Sequence, residues 1–370
     1  RPTGPAPAKP PCVWESSLIK PSFGQITRLA FTLLLGAIGG AVFFYLDLPL
    51  AWMLGSMTFT TIAAFAGAPV RLHMPLRMAM VAVLGTLLGS AFTPHILDQL
   101  QHWGAGVLVM VVFVTTMTAA SVGFLMWFGK MDRTTAYFAG TPGGLGEMTI
   151  IGEQQGGDPR TIALVHATRI FVVVFLLPLF LTTVQHLDIP NTARVLASRP
   201  TAHGGELAIL AVCAVIGFFL GQYLRLPGGR ILGPMSVSAA AYLSGIVHGR
   251  PPAELIAIAQ VVIGSAIGAR FVGLNLRQTG KPIFLAICSA IFMLAMAAIF
   301  ASVIAPWLGL PMHALLLALS PGGLAEMSLI ALALGVDTAF IATMHLVRIL
   351  LIVTLAPIFF RVLNWGNSGK

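Results

Sequence analysis

Twelve apolar segments, each roughly 18 to 25 residues long, make up most of this chain. They fall near 27–46, 50–67, 75–93, 104–128, 134–155 and 160–184, and then 206–224, 230–247, 253–272, 282–305, 312–334 and 338–361. A hydrocarbon core about 30 Å thick needs about 20 apolar residues per helix, so 370 residues allow roughly ten to twelve crossings. The runs are continuous rather than alternating, which argues against a transmembrane β-barrel.

Composition agrees. Hydrophobic residues make up 57% of the chain and charged residues 9%, against about 25% charged in an average soluble domain. So few charges cannot solvate a globule of this size, and a disordered chain is far less apolar. Lys plus Arg is 21 and Asp plus Glu is 12, a net charge of +9. The basic residues stand singly between apolar runs, which fits the positive-inside rule and no nucleic-acid partner. Cys12, Cys213 and Cys288 are few and far apart, and no disulfide framework is expected. Residues 1–24 are a proline-rich tail and are set aside from fold reasoning.

An internal duplication organises the rest. Residues 141–151 read TPGGLGEMTII and residues 320–330 read SPGGLAEMSLI, an offset of 179. The offset also matches Asp158 with Asp337, His166 with His345, Arg169 with Arg348, and Pro178 with Pro357. YLDLP at 45–49 matches YLRLP at 223–227 at an offset of 178. The expected organisation is a first membrane repeat at 25–184, a polar linker at 185–205, a second repeat at 206–363 and a short tail at 364–370.

The fifth segment of each repeat is broken by Pro142-Gly143-Gly144 or Pro321-Gly322-Gly323. An interior Pro costs a helix about 3 kcal/mol and each Gly about 1. If all twelve segments cross, Arg225, Arg230, Arg270, Arg277 and Lys281 fall on the outer face. If the broken segments are re-entrant, each repeat crosses five times and the two are inverted. The cytoplasmic side then gathers Arg71, Arg77, Lys130, Arg133, Arg160, Arg225, Arg230, Arg270, Arg277, Lys281 and Arg361. The charge rule favours the second arrangement. The expected fold is an all-α polytopic membrane protein of two inverted repeats, each with five transmembrane helices and one broken element, both termini being cytoplasmic. A crossing unwound helix is the structural alternative to a re-entrant hairpin.

Inverted repeats with discontinuous helices place a binding site where the broken elements meet, near the bilayer midplane. Gly143, Gly144, Gly322 and Gly323 allow close backbone approach, and the helix start that follows each break suits an anion. Glu147 and Glu326 lie one turn further on, inside apolar runs, where a carboxylate is costly and suits a proton carrier. His166 with Arg169, and His345 with Arg348, share a helix face at i, i+3. Arg169 lies about 16 Å from the helix start at Asp158, near mid-bilayer, where its fixed charge needs a partner. Glu147–Arg169 and Glu326–Arg348 are the expected pairs, with histidine as the titrating member. Each feature has a purely structural counterpart: a tight turn, a self-capped helix start and a locking ion pair. Two Glu and two His also leave a single metal site open, although no Glu-x-x-His occurs.

Small-residue spacings at Gly36/Gly40, Gly85/Gly89, Gly217/Gly221 and Gly264/Gly268 fit either packing within the monomer or a homodimer. Trp52, Trp103, Trp127 and Trp307 lie near expected span ends. No Walker loop, Gly-x-Ser-x-Gly or dinucleotide fingerprint is present, and neither enzymatic activity nor a cofactor is expected.

With its TPGGLGEM and SPGGLAEM segments and downstream His-x-x-Arg, residues 25–363 resemble the AbrB family of duplicated bacterial inner-membrane proteins. The chain does not resemble the soluble DNA-binding regulator of the same name. The resemblance implies an inner-membrane location. Family members carry labels as regulators of gene expression, as ammonia monooxygenases and as transporters. The motif positions carried over are Pro142, Gly143, Gly144, Glu147, His166 and Arg169, with Pro321, Gly322, Gly323, Glu326, His345 and Arg348. The expected function is a secondary transporter of a small anionic solute, coupled to H⁺ or Na⁺. A membrane-embedded sensor acting on gene expression through a partner is one alternative, and a membrane metalloenzyme is another.

Overall fold

The structure is a computed structural model that describes residues 23–92, 96–187, 189, 200–274 and 276–363. The tail 1–22 with Cys12, linker residues 188 and 190–199, and the tail 364–370 lie outside the described residues, as do the side chains of Asp98, Trp103 and Arg277. Among the described residues there are fourteen α-helices and no β-strand. In chain order they are α1 (Phe23–Tyr45), α2 (Ala51–Phe65), α3 (Met74–Gly89), α4 (Ile96–Trp127), α5 (Arg133–Gly140), α6 (Leu145–Gln154) and α7 (Pro159–Thr183). Then come α8 (Gly204–Tyr223), α9 (Gly229–Leu243), α10 (Ala253–Gly268), α11 (Leu276–Leu308), α12 (Met312–Leu319), α13 (Leu324–Leu334) and α14 (Thr338–Val362).

The helix boundaries recur along the chain. α3, α5, α6 and α7 begin 179 residues before α10, α12, α13 and α14, and α2 begins 178 before α9. Local chemistry sets these boundaries. The Asp158 carboxylate caps α7 by accepting from the N–H groups of Arg160 and Thr161, with Pro159 at the first helical position. Asp337 caps α14 in the same way through Ala339 and Phe340. In the turns before α2 and α9, the matched residues Asp47 and Arg225 both take positive φ, 54° and 52°.

Among the described residues, seven helices are long and apolar enough to cross a bilayer: α1, α4, α7, α8, α10 with its short extension to Phe271, α11 and α14. The chain is thus a multi-pass membrane protein whose outer surface meets lipid, as the exposed Leu34, Val215 and Phe219 of α1 and α8 illustrate. Three expected crossings, 50–67, 75–93 and 230–247, are shorter than the sequence suggests. α2, α3 and α9 have 15, 16 and 15 residues. At 1.5 Å per residue they are about 22–24 Å long.

The short helices lie between the halves. α2 packs on α1 and α10, and α9 packs on α8 and α3. The same exchange links α7 to α11 and α14 to α4. Glycine makes these contacts close. A Cβ on Gly85 or Gly89 would strike the α9 backbone, and one on Gly264 would strike α2. Gly36 and Gly40 face Ser56 and Trp52 of α2, while Gly217 and Gly221 face the α9 backbone. All four small-residue stripes are therefore occupied within the monomer.

The contact between α1 and α2 gives a direct test. A Cβ on Gly55 would overlap the backbone of Gly39, whereas one on Gly123 of α4 finds nothing within 4 Å. Gly55→Ala is expected to cost about 1–3 kcal/mol, because backbone cannot move aside cheaply. Gly123→Ala is expected to be neutral or to stabilise by up to about 1 kcal/mol. Thermal unfolding in detergent should lower the first midpoint and not the second.

Candidate functional site

The two Pro-Gly-Gly segments end one helix and begin another, as the sequence predicts. α5 stops at Gly140 and α6 starts at Leu145; α12 stops at Leu319 and α13 starts at Leu324. A helix end leaves carbonyls without intrahelical partners, and no water is available in a bilayer core to satisfy them. The structure supplies a side-chain clamp instead. Arg169 Nη1 donates to Thr141 O at 3.2 Å, and Nη2 donates to Gly143 O at 3.2 Å. Nη2 also donates to His166 Nδ1 at 2.9 Å, while His166 Nε2 donates to Phe138 O at 2.9 Å. In the second half Arg348 donates to Ser320 O, to Gly322 O at 2.7 Å and to His345 Nδ1 at 3.0 Å. His345 Nε2 donates to Leu317 O at 3.0 Å. The four side chains are almost wholly buried: His166 and His345 at 0% exposed, Arg169 at 3% and Arg348 at 4%.

These bonds fix the histidine tautomer. A carbonyl accepts from Nε2 and a guanidinium donates to Nδ1, so each ring is neutral with its proton on Nε2. The expectation of a titrating histidine is corrected: both nitrogens are already engaged, and a second proton would face an arginine. That engagement also leaves neither nitrogen free for a metal, and among the described residues no three His, Cys, Asp or Glu side chains cluster to hold one.

The expected Glu147–Arg169 and Glu326–Arg348 ion pairs do not form. Each glutamate instead serves the helix that starts at the break. Gly144 and Gly323 are the N-caps of α6 and α13, which makes Glu147 and Glu326 the third helical residues. Both carboxylates fold back over the cap, and Oε2 of each occupies the space that a Cβ on its capping glycine would need. The physical reason is the helix dipole. The arginine meets the negative end of α5 or α12, and the glutamate meets the positive end of α6 or α13. Each charge answers a helix terminus rather than the other charge. Pro142 and Pro321 sit buried at the centre of the two breaks.

Arg169 feels the charge of Arg348 from the other half. Each guanidinium retains one buried donor, Nε–H, with no hydrogen-bond partner. Thr168 Oγ1 and Ser328 Oγ, which sequence reasoning missed, are buried and unpartnered as well. The carbonyls of Phe138, Thr141, Leu317 and Ser320 were also missed, because backbone acceptors carry no residue signature.

The two breaks differ in their surroundings. The whole stretch Leu324–Ala333 is buried, with Glu326 at 8% exposed. In the first half Glu147 is half-buried, Gly146 is exposed and Ile150 is 58% exposed. α13 packs on α3, while no comparable contact joins α6 to α10.

Arg348→Lys should be far from conservative. A lysine keeps the charge but cannot reach two carbonyls and an imidazole in a planar fork. Each lost charge-assisted bond is worth about 1.5–3 kcal/mol, so a fall of at least that size in unfolding free energy is expected. Arg361→Lys, at the exposed end of the same helix, should change stability by no more than about 0.5 kcal/mol. Thermal unfolding in detergent compares the two directly.

Comparison with known proteins places this architecture. The family described as "Transition state regulatory protein AbrB" matches residues 52–364. The chain is similar to a protein of Bacillus subtilis (strain 168) named "Uncharacterized protein YhjN", 24% identical over 361 residues, with 91% of this chain and 93% of that one covered. It is also similar to "Putative regulator AbrB" of Escherichia coli (strain K12), 26% identical over 349 residues, with 92% of this chain and 96% of that one covered. Since the match spans most of the chain, the protein belongs to the AbrB family of membrane proteins.

Proposed function

We propose that this protein is a secondary transporter of a small anionic solute, built from two inverted repeats and coupled to H⁺ or Na⁺. The observation that carries the reading is the pair of buried guanidiniums at the breaks. One comes from each half, and each keeps an unpartnered Nε–H. An anion held between them would satisfy both donors and relieve the repulsion.

In this reading α5–α6 and α12–α13 are the two re-entrant elements, and α1–α4 with α7 and their counterparts make ten crossings. Both termini lie on the cytoplasmic side of a bacterial inner membrane. The differing burial of the two breaks supports the reading, because alternating access needs one motif to hold two environments across a symmetric frame. Glu147 and Glu326, poised at helix starts inside the apolar region, are the proposed ion carriers. No catalytic step is assigned to any residue.

Purified protein in liposomes tests this. A panel of small radiolabelled mono- and dicarboxylates should enter under an imposed proton or sodium gradient, with pyranine reporting proton movement. The Glu147→Gln/Glu326→Gln protein should lose at least tenfold in coupled uptake; normal uptake by that variant would remove the carrier role. The name of the Escherichia coli relative, a regulator, favours a second reading, a membrane sensor acting through a partner. That reading predicts saturable binding with no flux in the same liposomes.

A further inference from the structure

A cavity of about 520 Å³ opens beside the first half of the chain, and the transport reading makes no use of it. Its lining includes Arg28 from α1, Arg71 from the α2–α3 connection, Arg77 from the first turn of α3 and Arg270 at the end of α10. Arginines from four separate segments thus line one space. Arg28, Arg71 and Arg270 are exposed, and Arg77 is half-buried.

The charges are not balanced locally. Arg77 and Arg270 each feel Glu326, and Glu326 is committed to the start of α13. Arg270 also feels Arg77, and Arg77 feels Arg230. Guanidinium does not give up its proton, so repulsion across such a cavity is relieved by an anion.

The backbone is braced to hold this arrangement. The buried Thr32 hydroxyl donates to Arg28 O at 2.7 Å and accepts from Arg71 N–H at 2.9 Å. One side chain therefore ties two of the arginine-bearing segments together.

The matching place in the second half shows what a self-sufficient version looks like. Glu206 stands 178 residues after Arg28, at the offset that relates α1 to α8. Its Oε1 accepts from His248 N–H at 2.9 Å and from Gly249 N–H at 3.5 Å, in the connection that carries Arg250. Arg250 stands 179 residues after Arg71. There the position of Arg28 holds an acid that satisfies the neighbouring loop. Arg77 and Arg270 have Ile256 and Ala91 as their counterparts, so of the four arginine positions the matching corner keeps Arg250 alone.

We infer that the Arg28–Arg71–Arg77–Arg270 cavity is a binding site for an oxyanion with phosphate chemistry. Arginine rather than lysine at all four positions suits planar, bidentate recognition of oxygen pairs. The volume lies within the usual range for small-molecule sites, about 300–1,000 Å³. The inference goes beyond the transport reading and stands or falls without it. A soluble anion and an anionic lipid headgroup present the same chemistry here.

Isothermal titration of detergent-purified full-length protein separates the outcomes. The probes are inorganic phosphate and dihexanoyl-phosphatidylglycerol, with Arg71→Gln/Arg270→Gln as the variant. Both positions are exposed, and helical content with monodispersity shows that the variant is folded. Saturable binding of either probe, at least tenfold weaker in the variant and weakened by salt, is expected. Saturation by phosphate identifies a soluble anion, and saturation by the lipid alone identifies a headgroup; either supports the site. Arg71→Lys/Arg270→Lys should bind between the wild type and the Gln variant. Absence of saturable binding by both probes, or equal binding by wild type and the Gln variant, would overturn the proposal and leave these arginines as ordinary inward-facing charges. Uptake by the glutamine variant of the two glutamates is a separate measurement, so failure of one proposal is distinguishable from failure of the other.

Discussion

A helix cut in the middle of an apolar layer leaves carbonyls on one side and N–H groups on the other, with no water to answer them. Much of the interior of this protein follows from that constraint. The carbonyl side of each cut is answered by an arginine braced by a neutral histidine from the following long helix. The N–H side is answered by a glutamate three residues past the cap. Two charges of opposite sign thus sit close along the chain without pairing, because each is held by a helix end of the opposite polarity. The cost of burying them falls on the ends they neutralise, and the element is locked in a broken shape that a continuous helix could not adopt.

The clamps are near copies, yet their surroundings are not. α13 is enclosed on every side, whereas α6 keeps part of its surface open. The difference lies in packing rather than in motif: α13 rests against α3, whereas α6 touches α14 of the other half and makes no comparable contact with α10. A symmetric sequence plan has settled into an asymmetric arrangement, which a static sum of local preferences would not produce.

Much of this was legible in the sequence. The break at Pro-Gly-Gly, the caps at Asp158 and Asp337, and the recurrence of helix boundaries all follow from residue types at fixed offsets. The helix-start position of the two glutamates was readable only as the structural alternative to an ion carrier, since a Glu third after a cap is a capping position. The pairing of Arg169 with Glu147 was wrong because charge complementarity competes with backbone acceptors, and carbonyls leave no trace in a sequence. The short lengths of α2, α3 and α9 were missed because apolar residues continue through the turns that end them. The arginine cavity was visible only as scattered loop charges. The sign change between Arg28 and Glu206 at the repeat offset was the one clue that the two halves treat that corner differently.

The exchange of short helices between the halves bears on how the protein is made. α3 finds its close partner in α9, and α2 finds its own in α10. Both partners emerge from the ribosome well over a hundred residues later, a long-range closure that folds slowly by its nature. Until then the glycine faces of Gly85 and Gly89 have no helix to rest on, and the first half waits in the bilayer with its central surfaces uncovered. Synthesis of the second half is therefore also the folding step of the first. A chain released early would present the insertion machinery and quality-control proteases with an open seam of small residues rather than a finished half.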